Sequence, residues 1–205
     1  MDRILIVGCP GSGKSTFAKE LHRITGIPLV HLDMLFWNED GTTVEKSVFY
    51  KRLTEALEGE RWIIDGNYAS TMELRMEACD TVIFLDYPVE LCLQGIRDRK
   101  GKRRSDLPWV EPEEDDEDFL EFIRNYPIQN RPQVLNLLHQ YSHKHRFIFT
   151  DRPQADIFLK QLKSEIPICR DVSDAPPGSW LSLWESCPNG TERGNGIIVT
   201  CRHFA

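Results

Sequence analysis

The chain has 205 residues, of which 40% are hydrophobic and 28% charged, and its formal net charge is −7. That length supports one sizeable α/β core rather than two full domains, and no run approaches the ~18 apolar residues that would cross a bilayer, so the sequence reads as a soluble cytoplasmic protein. The acidic balance disfavours a general nucleic-acid binder, which needs an extended basic face, and six cysteines without a C-x-x-C pair read as reduced, scattered thiols.

Ile4-Leu5-Ile6-Val7 predicts the first strand; it is too short for a signal peptide and runs straight into Gly8-Cys9-Pro10-Gly11-Ser12-Gly13-Lys14-Ser15-Thr16. This is G-x-x-x-x-G-K-[ST] at a strand-to-helix junction, with the helix running from Lys14 to about Thr25. Glycines let successive backbone N–H groups point into one concavity, the helix adds the positive end of its dipole, and Lys14 brings a cation to the outer phosphates. Ser15 supplies a hydroxyl to Mg²⁺. Gly8, Pro10, Gly11, Ser12, Gly13, Lys14, Ser15 and Thr16 are therefore the candidate ATP-binding residues. A glycine-rich turn that binds nothing is the bland alternative, and five specified positions in the right setting weigh against it.

Pro28 to Leu32 predicts a second strand ending at Asp33, which precedes Met34-Leu35-Phe36-Trp37. Asp33 either positions and deprotonates an acceptor hydroxyl or caps a helix, in which case the aromatics are plain core residues. Helical spacing of Val48, Phe49, Leu53, Ala56 and Leu57 predicts a helix from about Glu45 to Leu57. Trp62-Ile63-Ile64 is the third strand, ending at Asp65-Gly66. Asp65 either holds Mg²⁺ through water beside Ser15 or caps the next turn.

Thr81 to Leu85 is the fourth strand, ending at Asp86, and Pro88 suits the first turn of the next helix. Residues 97–118 then change from strongly basic to strongly acidic, where a mobile cover over the phosphates would emerge. Arginine binds phosphate oxygens in bidentate fashion, which makes Arg99, Arg104 and, further on, Arg131 the catalytic candidates. A solvated helix face is the alternative for this run, and the adjacent acidic stretch disfavours a DNA-binding patch. Arg146 to Thr150 is the fifth strand. Arg152-Pro153 follows as a turn beside the nucleotide base or as a turn without a ligand, and Asp156 to Leu162 is the last helix. His139, His143 and His145 lack metal-ligand spacing.

Past Ser164 the periodicity is lost, with isolated Trp180 and Trp184 and a short Ile197-Ile198-Val199 run that would pack on the body or pair as an edge strand. The expected organisation is a catalytic domain over 1–163, with a cover at about 97–118, and an irregular tail over 164–205 dispensable for chemistry. Five short strands separated by helices imply a three-layer α/β P-loop NTPase fold, a five-stranded parallel sheet with helices on both faces and a helical lid. Its ligands would sit at the strand C-terminal ends, where Gly8, Asp33, Asp65 and Asp86 gather.

The phosphate loop, Leu32-Asp33-Met34-Leu35-Phe36-Trp37, Trp62-Ile63-Ile64-Asp65-Gly66-Asn67-Tyr68, Val82 to Pro88 and Cys92 to Arg104 together resemble the bacterial DNA topology modulation proteins, which belong with the adenylate-kinase-like phosphate-loop kinases. The resemblance covers roughly residues 1–163. It implies a Mg²⁺- and ATP-dependent phosphotransferase with an acceptor-binding segment at about 33–75, in which Lys14, Ser15 and Asp65-Gly66 match kinase positions and Arg99 and Arg104 approximate lid arginines. The family name implies a DNA connection that none of these residues demonstrates. Adenylate kinases follow Asp-Gly with a residue and then Pro-Arg, whose arginine grips the acceptor phosphate. Asn67-Tyr68 stands here instead, with the next arginine at Arg75, which argues against a nucleoside monophosphate acceptor and leaves a small-molecule acceptor unidentified. Regulatory ATP binding and simple hydrolysis are the alternatives to transfer.

Overall fold

In the computed structural model, which describes residues 1–110, 114, 116–165 and 198–199, β1 (Arg3–Gly8) is buried from Ile4 onward. Ile4 and Ile6 enter one core while Leu5 and Val7 enter another, because helices cover both faces of the sheet. This is why the strand reads as a continuous apolar run and not as an alternation.

The strands β2 (Leu29–His31), β3 (Trp62–Asp65), β4 (Thr81–Leu85) and β5 (His145–Phe149) join β1 in the parallel order β2-β3-β1-β4-β5. A two-residue strand, β6 (Ile198–Val199), adds antiparallel to β5, the edge-strand alternative for that run. The rest of the expected tail, and with it any bearing on chemistry, lies outside the described residues. Helices α1 (Lys14–Thr25), α5 (Val89–Arg99), α6 (Glu117–Gln129) and α8 (Arg152–Glu165) line the core shared with Ile4 and Ile6. The opposite core holds α2 (Leu32–Phe36), α3 (Lys46–Leu57), α4 (Met72–Ala78) and α7 (Arg131–Gln140). Among the described residues no helix is long and apolar enough to cross a membrane.

Three local readings are corrected. Strand β2 stops at His31, and Leu32 already belongs to α2. Asp33 lies inside the first turn of α2, whose cap position is His31, so it is not a helix cap. Arg152-Pro153 is no free turn but the start of α8, four residues earlier than expected. Proline is tolerated there because a first-turn N–H has no helical partner, and the Asp151 carboxylate accepts from the Gln154 N–H at 2.9 Å. The cover leaves α5 at Arg99, proceeds by turns through Val110 and re-enters helix at α6, where Asp116 caps through the Phe119 N–H at 3.0 Å.

Candidate active site

The loop between β1 and α1 turns on glycines in the left-handed region, Gly11 at φ 80° and Gly13 at φ 92°. Gly11 is also demanded by packing. A Cβ there would overlap the Cys92 carbonyl oxygen, and a Cβ on Gly95 would overlap the Gly11 carbonyl oxygen. Helix α5 therefore docks backbone-to-backbone against the loop, and the buried thiols of Cys9 and Cys92 touch across the same seam. Asn67 closes the other end: its Oδ1 accepts from the Gly8 N–H at 3.1 Å and its Nδ2 donates to the Gly8 carbonyl at 2.6 Å. A Cβ on Gly13, by contrast, would meet nothing within 4 Å.

Two observations fit this loop to an anionic ligand. The Ser12 hydroxyl is buried without a hydrogen-bond partner, an arrangement that burial penalises unless a ligand supplies one. Lys14 Nζ folds back onto the carbonyls of Gly8 and Cys9 at 2.8 and 3.0 Å. Burial pushes the Lys14 ammonium pKa down, against the opposing pull of Cys9, Asp65 and Asp33, and the nearby Arg99 charge adds to the depression. A phosphate would relieve both strains.

Asp65 ends β3 level with Ile6 and His31, and its Oδ1 lies 2.6 Å from His31 Nδ1. The carboxylate thus engages a neighbouring strand and not the following turn. Ser15 sits in the first turn of α1. Among the described residues no group of three or more histidines, cysteines or carboxylates forms a metal cage. A hydroxyl at Ser15 and a carboxylate at Asp65 are hard oxygen donors of the kind a magnesium ion takes when waters and nucleotide oxygens are its other ligands.

Asp33 accepts from the Tyr68 hydroxyl at 2.7 Å. Burial raises its pKa, the Tyr68 hydrogen bond works against that, and the Asp65 charge adds to it. Tyr68 is the lone non-glycine residue with positive φ (25°) among those described, and its ring packs on Phe36 and Phe49 with centroids 4.8 and 5.2 Å away. What holds it there is Arg75. This buried guanidinium donates to the carbonyls of Gly66, Asn67, Tyr68 and Thr71, at 2.5 to 3.2 Å. The first arginine after Asp-Gly is therefore a scaffold for the loop 66–71.

Of the remaining candidates, Arg104 is ion-paired to Asp106 and its charge also reaches Asp33. Arg131 makes two 2.7 Å hydrogen bonds to Asp86 at the end of β4, and Arg152 lies beside Gly95 with its guanidinium 3.5 Å from the Leu91 carbonyl. Pro10 lies within the loop, and Thr16 is exposed in α1. A cavity of about 660 Å³ opens between α2 and the cover, lined by Met34, Glu39, Arg103, Arg104, Leu107 and Trp109, among others. Trp109 meets Trp37 edge-on at 5.7 Å, and its indole N–H is buried without a partner. Sequence reasoning missed His31, Asp106 and Trp109 altogether; Asn67 and Tyr68 registered only as a departure from the adenylate-kinase pattern.

The architecture and this loop define a P-loop NTPase fold. Among solved structures the chain is similar to shikimate kinase from Acinetobacter baumannii in complex with shikimate, at 18% identity and TM-score 0.51, covering 82% of this chain and 96% of that one. It also matches shikimate kinase from Bacteroides thetaiotaomicron at 20% identity and TM-score 0.49, covering 80% and 96%. At that identity the Acinetobacter likeness establishes the fold. No protein-family model and no curated protein matches the chain.

Proposed function

We propose that this protein is a cytoplasmic, ATP- and Mg²⁺-dependent phosphotransferase acting on a small hydroxylated molecule. The observation that carries the reading is the phosphate cradle. Glycine backbone, a partnerless Ser12 hydroxyl and the Lys14 ammonium converge where Asp33 and Asp65 also bring their charges. Bound Mg²⁺ supplies charge neutralisation at the phosphates, with Ser15 and Asp65 to hold it. Lys14 offsets charge on the transferred phosphoryl group, and Arg99 and Arg104 cover the site from the lid and exclude water. Arg131 orients the end of β4 through Asp86, and Arg152 borders the base side.

Asp33 gives the acceptor side its chemistry. A half-buried carboxylate with a raised pKa, held by Tyr68 beside a cavity, suits the acceptance of a proton from an alcohol. The cavity size suits a metabolite, the absence of a phosphate-gripping arginine after Asp65-Gly66 speaks against a nucleoside monophosphate, and a fold neighbour binds the small hydroxylated acid shikimate. On the residues shared with the DNA topology modulation proteins we place the chain in that family as well, with transfer to a small molecule and not DNA contact as its activity. The test is ADP release across a panel of nucleosides, nucleotides and small hydroxylated acids. One acceptor should raise release well above the water background, and a flat panel would leave hydrolysis alone.

A further inference from the structure

Strand β3 ends at Asp65, opposite Ile6 of β1, and the Gly66 N–H adds a further hydrogen bond to the Ile6 carbonyl at 3.3 Å. Pairing then continues through a side chain. The Asn67 carboxamide offers the same donor and acceptor as a peptide group, and it meets both main-chain groups of Gly8, at 3.1 Å on the N–H and 2.6 Å on the carbonyl. That carbonyl is also one of the two on which the Lys14 ammonium stands, at 2.8 Å; the other is the Cys9 carbonyl, at 3.0 Å. Each of the two has a second donor, the Ser12 N–H at 3.1 Å for Cys9 and Asn67 for Gly8. The Ser12 donor belongs to the loop itself, whereas Asn67 reaches it from 59 residues away. Arg75 fixes Asn67 from behind, donating to the Gly66 and Asn67 carbonyls at 2.7 and 2.5 Å.

Resting on the phosphotransferase reading above, we propose that Asn67 is a positioning residue for Lys14: by clamping the Gly8 peptide groups it fixes the carbonyl that carries the ammonium. An ammonium has three N–H donors, and two of Lys14's go to Gly8 and Cys9. With both carbonyls held, the direction of the third donor is set before a phosphate arrives, which spares the ligand the cost of ordering it. Without Asn67 the Gly8 peptide can rotate, and the lysine loses a fixed partner in a place where burial already works against its charge. The position after Asp65-Gly66 thus serves the nucleotide side of the site, and Tyr68 beside it serves the acceptor side through Asp33.

The test uses the full chain with Asn67→Ala and two measurements. The first is acetylation of each lysine by acetic anhydride in nucleotide-free protein, followed by mass spectrometry; the second is ADP binding by calorimetry in EDTA, where no metal takes part. Lys14 should acetylate several-fold faster than in wild type, because a released amine is both more often neutral and easier to reach, while the other lysines stay within about twofold. ADP affinity should fall about 10-fold. An unchanged Lys14 rate in a chain that binds ADP overturns this inference alone. A rise shared by all lysines would mean that Asn67 only holds the fold together, and a Lys14-selective rise with ADP affinity unchanged would mean that the clamp does nothing for phosphate; either result overturns the proposal too. Should Asn67→Ala fail to fold, Asn67→Gln keeps the carboxamide while displacing it and should show the same Lys14-selective rise in smaller degree. A wild-type chain that binds no ADP overturns the nucleotide reading itself, and this inference with it.

Discussion

Around Gly11 the site is made of backbone: two chain segments approach so closely that a methyl group on Gly11 or Gly95 would strike a carbonyl oxygen. Around Asp33 it is made of side chains: Tyr68 packs on Phe36 and Phe49, Trp37 meets Trp109 at the edge of a cavity, and Arg75 fastens the loop that carries Tyr68. The first construction fixes the position of N–H groups, which suits a ligand part shared by all nucleotides. The second has a shape set by which side chains are present, and under the proposed transfer reading that is where acceptor choice would reside.

The two sides should therefore respond differently to substitution. Lys14→Ala removes the cation of the cradle and should lower phosphoryl transfer by at least about 1000-fold, measured as ADP release, with an unfolding temperature close to wild type. Undiminished transfer would refute the role of the loop. Asp33→Asn should lower kcat by about 100-fold with an alcohol acceptor while leaving the KM for ATP alone; near-wild-type turnover would show that the acceptor attacks through a group needing no base. Trp109→Ala should raise KM for the acceptor several-fold without touching the nucleotide constants, and a matching change in both would dissolve the distinction between the sides. On the backbone side, Gly95→Ala should cost about 1–3 kcal/mol in urea unfolding even though alanine is the better helix former, because the added methyl group meets a carbonyl it cannot push aside.

The same contrast explains what was legible from sequence. The phosphate loop could be read because its chemistry is carried by contiguous residues, Gly8 to Thr16, in a fixed strand-to-helix setting. The five parallel strands were legible because burial on both faces leaves unbroken apolar runs such as Ile4 to Val7. Asp106 was invisible because its partner Lys19 lies far away in the chain and nothing local marks that aspartate among so many acidic neighbours. Arg75 drew notice as the first arginine after Asp65-Gly66, and only its contacts with four carbonyls identify it as scaffold. Helix α4 was missed because it is short and carries that buried charge on a face that periodicity would require to be apolar.

The smallest expected effect separates stability from chemistry at Asp33. Burial raises its pKa above that of the unfolded chain, so the folded state holds the proton to higher pH. Between the two pKa values folding takes up a proton, and stability falls as pH rises through that window, with the full penalty present above the folded pKa. Asparagine carries no such penalty and can still accept from the Tyr68 hydroxyl. Asp33→Asn should therefore unfold a few degrees higher than wild type at neutral pH, and the gap should close as pH drops below the ordinary aspartate range. A variant that loses turnover while gaining thermal stability would mark Asp33 as a group kept for reaction at a cost to the fold. Loss of both together would instead mean that the Tyr68–Asp33 bond holds the acceptor wall upright and that its chemistry belongs elsewhere.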